Sequence, residues 1–218
     1  MNRPASALLK PRKAPKQARS TVTLEAIHTA TIQVLLAEGV GRLTTARVAE
    51  RAGVSIGTMY QYYPHKQALI FAMIEQQLET VASFMLIAAE RLRGQDIATI
   101  AEGLAMAWLD AKTSESEAFR VLYGLVADYD VKDSMARVLT QMTQVFSDLL
   151  AAAPDARFAD TDAVAFMLAI MIGGSVRMVL DTAGSEDDLA HLRRELPHAC
   201  RAYAMAANSA LPANALVG

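Results

Sequence analysis

The sequence is short of the residues that build disulfide-linked and loop-rich proteins. Its 218 residues include one cysteine, Cys200, with only 11 glycines and 7 prolines. A single cysteine excludes an intrachain disulfide. Scarce Gly and Pro, together with 53% hydrophobic residues, favour a compact helical protein over a disordered or many-turned β protein. We therefore expect an all-α fold.

Long apolar segments are lacking as well. The longest run, 163–176, has about 14 residues, whereas a bilayer-spanning helix needs ~20. No stretch near the N-terminus resembles a secretory signal. We expect a cytoplasmic protein with no membrane partner, in which this apolar run forms a buried core helix.

The formal net charge of −2 conceals an uneven distribution. Residues 1–66 hold ten Lys/Arg against three Asp/Glu, and the remaining residues hold eleven against twenty. A basic N-terminal part (residues 1–66, the basic head) followed by an acidic remainder is typical of a chain whose basic end binds a polyanion. A solvated basic tail is the alternative interpretation.

Hydrophobic periodicity predicts helices along most of the chain and no strands. Residues 1–19 are basic, contain three prolines and lack an apolar period, so we expect a flexible arm. The first helix should begin at Ser20 or Thr21 and stop at Gly39. Later helical blocks are expected at approximately 95–113, 116–129, 131–152, 160–183 and 186–207, followed by a loose tail at 208–218.

Two short helices are predicted after the first. Thr44 or Thr45 is placed to cap a helix that ends at Arg51, and Gly53 supplies a left-handed turn after it. Ser55 is placed to cap the next one.

Pro64 must end the second short helix, because proline disfavours helix in the residue before it. A long helix should then start at His65 or Lys66 and run to about Arg93, where Gly94 stops it. It is long enough to connect two domains.

The short helices fit a helix-turn-helix. Two helices that cross closely need small residues, here Ala49 and Ala52, and a glycine in the turn, here Gly53. We expect Val54, an aliphatic residue, to be buried and to fix the corner. The second helix then turns short polar and aromatic groups outward.

The segment Val54–Lys66 resembles the signature of the TetR family of bacterial transcriptional regulators. Its residues VSIGTMYQYY, followed by Lys66, are similar to the family's Val-Ser-x-Gly-Thr-Leu-Tyr-x-Tyr-Phe-x-x-Lys, with Met59 and Tyr63 as departures. The resemblance implies a helix-turn-helix domain joined by a long helix to a helical effector-binding and dimerisation domain. On this basis we expect the DNA-binding domain at 20–66 and the second domain at 67–207.

The resemblance also implies roles in DNA binding. Phosphate contacts would come from Thr44 or Thr45, Tyr62 and Lys66. Gln61 would read an adenine edge, and Ile56 or Thr58 would touch a thymine methyl. Core packing is the alternative for Tyr60 and Tyr63, and we favour it for Tyr63. The complete expected DNA-binding set is Thr44, Thr45, Ser55, Ile56, Gly57, Thr58, Tyr60, Gln61, Tyr62, His65 and Lys66.

An effector pocket in the second domain is a weaker inference. Large adaptable side chains on predicted helices can line a pocket for a small hydrophobic effector, although plain core packing is the competing interpretation for each. A polar partner could be Asp110, Arg120, Asp128 or Arg177. The expected lining residues are Trp108, Phe119, Tyr123, Met142, Phe146, Met171 and Arg177.

A homodimer is implied in the same way, because the family's last two long helices form a four-helix interface. That places 160–183 and 186–207 at the interface. Gly173 and Gly174 inside an apolar helix agree with close helix crossing, and internal packing is the alternative. A two-fold dimer would present two recognition helices to a palindromic operator.

Catalysis and metal binding find little support. The sequence has no Gly-rich phosphate loop and no Gly-x-Ser-x-Gly motif, so we expect neither an enzyme nor a cofactor. His191, Glu195 and His198 fall on one helix face, but we expect Pro197 to interrupt that helix and predict no metal site.

The expected function is a repressor released from DNA by a small hydrophobic molecule. The alternatives are a DNA-binding dimer whose second domain docks a protein or only dimerises, and an all-helical enzyme.

Overall fold

The computed structural model describes residues 18–113, 125, 129–181 and 185–208. Within these ranges the regular structure is helical and contains no strand, which confirms the all-α prediction. Most of the basic arm, nearly all of the expected helical block 116–129 and almost the whole C-terminal tail lie outside the described residues.

The described helices follow the predicted order. They are α1 (Ala18–Glu38), α2 (Thr45–Arg51), α3 (Ile56–Tyr62), α4 (Lys66–Arg91), α5 (Ile97–Thr113), α6 (Lys132–Ala151), α7 (Thr161–Asp181) and α8 (Glu186–Asn208), with a 3-10 turn at Val40–Arg42.

The helix ends in the first part of the chain carry the predicted capping chemistry. Thr44 Oγ1 accepts from the amide of Arg47 at 3.2 Å, and Ser55 Oγ accepts from that of Thr58 at 3.0 Å. Each hydroxyl satisfies one of the amides that a helix start leaves without an intrahelical partner. Gly53 has φ of 66°, the left-handed conformation that favours glycine.

Three details differ from the sequence expectations. α1 already includes Ala18, so Ser20 lies inside the helix and its hydroxyl bonds Tyr62 instead of capping. α4 ends at Arg91, two residues before the expected end. Pro197 does not interrupt α8, which continues through it, and the proline is buried. Packing of the apolar side of α8 therefore offsets the backbone hydrogen bond that proline removes.

The chain divides into two compact units, and α4 contributes to both. Unit 1 draws its described residues from Met1–Gln77 and Glu115–Asp133, and unit 2 draws its own from Leu78–Ser114 and Ser134–Gly218. Unit 1 has its own apolar core, which includes Ile27, Val34, Leu43, Val48, Met59, Leu69 and Phe71.

Unit 2 has a separate core built from several long helices. Leu104 of α5, Phe146 of α6, Leu168 of α7 and Cys200 of α8 are all buried in it. Burial raises the pKa of the Cys200 thiol to about 12. Since reactive cysteines are exposed and have a lowered pKa, this environment favours an inert core thiol.

Two helices remain partly uncovered although they are apolar. α4 and Thr161–Val179 of α7 have the length and composition of membrane-crossing helices, but 44% and 33% of their apolar windows are buried in the structure. Length and composition are weak evidence, because core helices of soluble proteins meet the same criterion. The large apolar residues exposed on α7 are Phe166, Met167, Ile170 and Met178.

Candidate nucleic-acid interface

The two short helices of unit 1 form the predicted helix-turn-helix. Val48 and Ala49 of α2 and Met59 of α3 are buried, which fixes the crossing of the two helices. The amide of Val54 donates to the carbonyl of Ala49 at 3.0 Å and closes the turn around Gly53. Val54 itself is half-buried, not buried as expected. The first residues of α4 follow directly.

The outer face of α3 is exposed, and it includes two large side chains. Ile56 is 43% exposed and Tyr60 is 47% exposed, although residues of this size normally pack inward. Gly57 and Gln61 are exposed on the same short helix, and Ser55, its N-cap, is exposed as well. Thr58 is half-buried, and its hydroxyl lies 2.8 Å from that of Ser55. This face offers both apolar contacts and hydrogen-bonding groups, which is what a base-reading helix needs.

Gly57 leaves open space on this face. A Cβ built on Gly57 would meet only Ser55 Oγ, at an ordinary 3.7 Å, and its φ is not in the left-handed region. The fold itself therefore does not require glycine at this position. The absence of a side chain leaves the backbone here open to close approach by another molecule.

Two adjacent tyrosines end the helix and turn inward. Tyr62 is buried, and its hydroxyl lies 2.8 Å from Ser20 Oγ of α1. Tyr63 is 1% exposed, and its hydroxyl lies 2.7 Å from His28 Nε2 of α1. The core interpretation is thus confirmed for Tyr63, whereas Tyr60 points outward. A phosphate contact by Tyr62 would have to share a hydroxyl that already bonds Ser20.

Basic side chains lie on the helices that precede and follow α3. Arg47 pairs with Glu38, and the Arg51 guanidinium donates to Gln33 at 2.9 Å, so both are held in place. Lys66 Nζ lies 3.5 Å from the carbonyl oxygen of Val40. His65 is exposed, and its Nδ1 accepts from the amide of Ala68 at 3.1 Å, which caps α4.

The expected pocket residues of unit 2 do not share one environment. Met142 and Phe146 are core residues, while Trp108 and Met171 are partly buried against that core. Arg177 Nη1 lies 3.0 Å from Met135 Sδ. Asp110 is exposed and pairs with Arg193 at 2.7 Å, which draws its carboxylate to α8. The other expected residues, Phe119, Tyr123, Arg120 and Asp128, lie outside the described residues.

Unit 2 contains a buried polar atom that the sequence did not predict. The hydroxyl of Thr143 on α6 is buried and has no hydrogen-bond partner among the described residues. A buried hydroxyl without a partner is costly, so it marks a place where a bound molecule could contribute one. The sequence offered no signal for it, because threonines at exposed helical positions look the same.

Metal ligands do not cluster in the part of the chain that the structure describes. His191, Glu195 and His198 are all exposed on α8.

Comparisons with protein-family models cover both parts of the chain. Residues 27–73 match the model described as bacterial regulatory proteins, tetR family. Residues 96–203 match a tetracyclin repressor-like C-terminal domain.

Curated relatives match a smaller part. The nucleoid occlusion factor SlmA of Haemophilus ducreyi is 40% identical over 48 residues, which is 22% of this chain and 24% of that protein. SlmA of Actinobacillus pleuropneumoniae serotype 5b is 25% identical over 116 residues, 52% of this chain and 56% of that protein. The matched region thus spans between about a quarter and somewhat over half of these relatives.

Solved structures share the fold at low sequence identity. A TetR-family transcriptional regulator from Mesorhizobium loti superimposes with a TM-score of 0.69 at 17% identity, covering 87% of this chain and 98% of that one. The fatty acid degradation regulator FadR from Bacillus halodurans has a TM-score of 0.61 at 17% identity, covering 86% and 97%. The chain therefore shares the helical fold of these two regulators.

Proposed function

This chain belongs to the TetR family of bacterial regulators, and from that premise we propose that it is a cytoplasmic repressor that leaves a palindromic operator when a small hydrophobic molecule binds unit 2. The observation that carries the DNA-binding part is the exposed face of α3. Ile56, Tyr60 and Gln61 project from a helix whose opposite side is packed into unit 1.

Recognition of the operator would combine two kinds of contact. Gln61 is exposed and can form a bidentate hydrogen bond with an adenine edge, while Ile56 can cover a thymine methyl. Thr44, Thr45, His65 and Lys66 would contact phosphates, which fix the register of the helix without reading sequence. The basic head would supply the salt-dependent part of the affinity.

Lys66→Ala should weaken binding to every duplex by about ten- to a hundredfold and lower the salt slope by about 2, because each dimer loses two phosphate contacts. Fluorescence anisotropy at several salt concentrations measures both quantities. Lys132→Ala is the matched control, since Lys132 is an exposed lysine at the start of α6, outside the helix-turn-helix. Equal affinity and salt slope in Lys66→Ala and the wild type would contradict the phosphate contact.

Dimerisation would use the uncovered side of α7. Phe166, Met167, Ile170 and Met178 expose apolar surface that a second copy can bury. Gly174 is exposed on the same helix, with nothing within 4 Å of a built Cβ, and leaves room for a close approach. Two-fold symmetry would then pair two recognition helices with two half-sites about one DNA turn, ~34–36 Å, apart.

The effector would act as a ligand that prefers the conformation which does not bind DNA. Unit 2 offers such a ligand partly buried apolar side chains, Trp108 and Met171, and, at Thr143, a buried hydroxyl that could accept a polar contact. Since α4 contributes to both units, a shift of this helix would change the spacing of the two recognition helices in the dimer. A coupling of about 1–3 kcal/mol would weaken operator binding roughly 5- to 150-fold.

A second candidate function is docking of a protein partner while the chain is bound to DNA. It is favoured by Phe84, Leu86 and Ile87, which are exposed on α4. The curated relatives that match are named nucleoid occlusion factors.

A panel of small apolar compounds separates the two candidates. The repressor proposal predicts that at least one compound raises the dissociation constant for the operator by about fivefold or more, and that Thr143→Val reduces this response. Thr143→Ser, which keeps the hydroxyl, is the matched control. If no compound changes DNA affinity, and none raises the melting temperature of unit 2, the docking candidate is favoured instead.

A further inference from the structure

Tyr63 carries a buried hydroxyl at a position where the family signature has phenylalanine. Its ring is in the core of unit 1, and burial of an unsatisfied hydroxyl is costly. His28 Nε2 satisfies it at 2.7 Å, and the two ring centroids are 5.9 Å apart. The departure from the signature therefore comes with a specific partner in α1.

His28 belongs to a row of contacts along α1 that holds the end of α3. Ser20 lies eight residues before His28, roughly two helical turns, and bonds the hydroxyl of Tyr62 at 2.8 Å. The imidazole also forms a hydrogen bond with the side chain of Gln76 on α4. One imidazole thus links α1, the end of α3 and the first part of α4.

The surroundings of His28 favour its neutral form. Burial lowers the pKa of the imidazole, and the Gln76 hydrogen bond opposes that effect to a smaller extent. The titratable groups at the end of α3 are Tyr62 and Tyr63, and burial raises the pKa of Tyr63 above its ordinary value. Glu25 lies one turn earlier on α1 and Glu75 precedes Gln76 on α4, but neither contributes to the shift.

We propose that His28 is a positioning residue for DNA recognition, which acts through Tyr63 to fix the end of α3 against α1 and α4 while the imidazole is neutral. The proposal rests on the DNA-binding function proposed above. His28 itself contacts no DNA in this scheme. It sets the orientation of the helix whose outer face carries Ile56, Tyr60 and Gln61.

The direction of the pH effect follows from the lowered pKa. Between the folded pKa and the ordinary value of about 6.5, the unfolded state binds more protons than the folded state, so stability rises with pH. The contribution is fully present above about 6.5 and declines as the pH falls below that value. Acidification should therefore lower the stability of unit 1, in which His28 joins the end of α3 to α1.

The test compares DNA affinity across pH in three proteins. The probe is a duplex that the wild type selects from a random-sequence library, titrated by fluorescence anisotropy from pH 7.5 to 5.5 at constant ionic strength. His28→Gln keeps a hydrogen-bonding group and cannot titrate. His198→Gln is the matched control, because His198 is an exposed histidine on α8.

We expect the wild type and His198→Gln to lose about fivefold more affinity on acidification than His28→Gln does. Tyr63→Phe should weaken binding about fivefold at pH 7.5, the size of one net hydrogen bond, and should still fold because the ring remains. Circular dichroism at each pH shows whether the helices persist.

Two results would overturn the positioning role. One is an identical pH profile in the wild type and His28→Gln, and the other is a loss of binding that merely follows loss of helix signal. Unchanged affinity in Tyr63→Phe would remove Tyr63 as the connection. Failure of the wild type to select any duplex is a different result, which would overturn the proposed DNA-binding function and this inference with it.

Discussion

Gly57→Gln is expected to reduce operator affinity by about 100-fold or more while the protein stays folded. The backbone at Gly57 is helical, and a Cβ there meets only Ser55 Oγ at 3.7 Å, so the side chain has room within the protein. The same side chain would stand between α3 and the floor of the DNA groove. Without close docking only non-specific binding remains. The affinity for a specific site is typically at least about 10³ times higher than the affinity for non-specific DNA.

Gly57→Ala is the control for this substitution. Alanine raises helix propensity by about 1 kcal/mol over glycine and adds a single carbon, so the melting temperature should not fall. Affinity should decrease in the order Gly, Ala, Gln in anisotropy titrations with the same duplex. Wild-type affinity in the Gln variant would show that the face of α3 does not enter the groove.

Ile170→Arg is expected to convert the dimer to a monomer and thereby lower operator affinity. Ile170 is 41% exposed on α7, beside Phe166 and Met167, so an arginine is tolerated in the isolated subunit. In a two-fold dimer the substitution occurs twice, and two unpaired charges would be buried at the interface. We expect the dimer dissociation constant to rise by about 100-fold or more, measured by sedimentation equilibrium.

Leu86→Arg is the matched control, because Leu86 is an aliphatic residue of α4 that is 40% exposed. It should leave both dimerisation and operator binding unchanged. A dimer that survives Ile170→Arg but not Leu86→Arg would move the interface from α7 to α4. Circular dichroism of both variants confirms that the subunit remains folded.

Local chemistry explains what the sequence predicted well. Local sequence is enough to predict the N-caps at Thr44 and Ser55 and the left-handed glycine at Gly53. Each of these features is determined by residues within three positions along the chain. The outward face of α3 follows from helical periodicity in the same way. The DNA-binding roles of its residues come from the family resemblance and stay predictions.

Long-range packing explains what the sequence did not predict. The hydrogen bond between His28 and Tyr63 joins residues 35 positions apart, and no spacing rule connects them. The continuous helix through Pro197 depends on tertiary packing, because α8 packs against α5 and α7. Whether the Thr143 hydroxyl finds a hydrogen-bond partner likewise depends on residues that are distant in the sequence.

The most direct test of the central claim is an anisotropy titration of the purified dimer with the DNA upstream of its own gene, at two salt concentrations, against a scrambled duplex. The account predicts saturable binding to one short inverted repeat, at least about 10³ tighter than binding to the scrambled duplex at the same salt concentration. Equal, weak binding to both duplexes, repeated with sites selected from a random library, would contradict it.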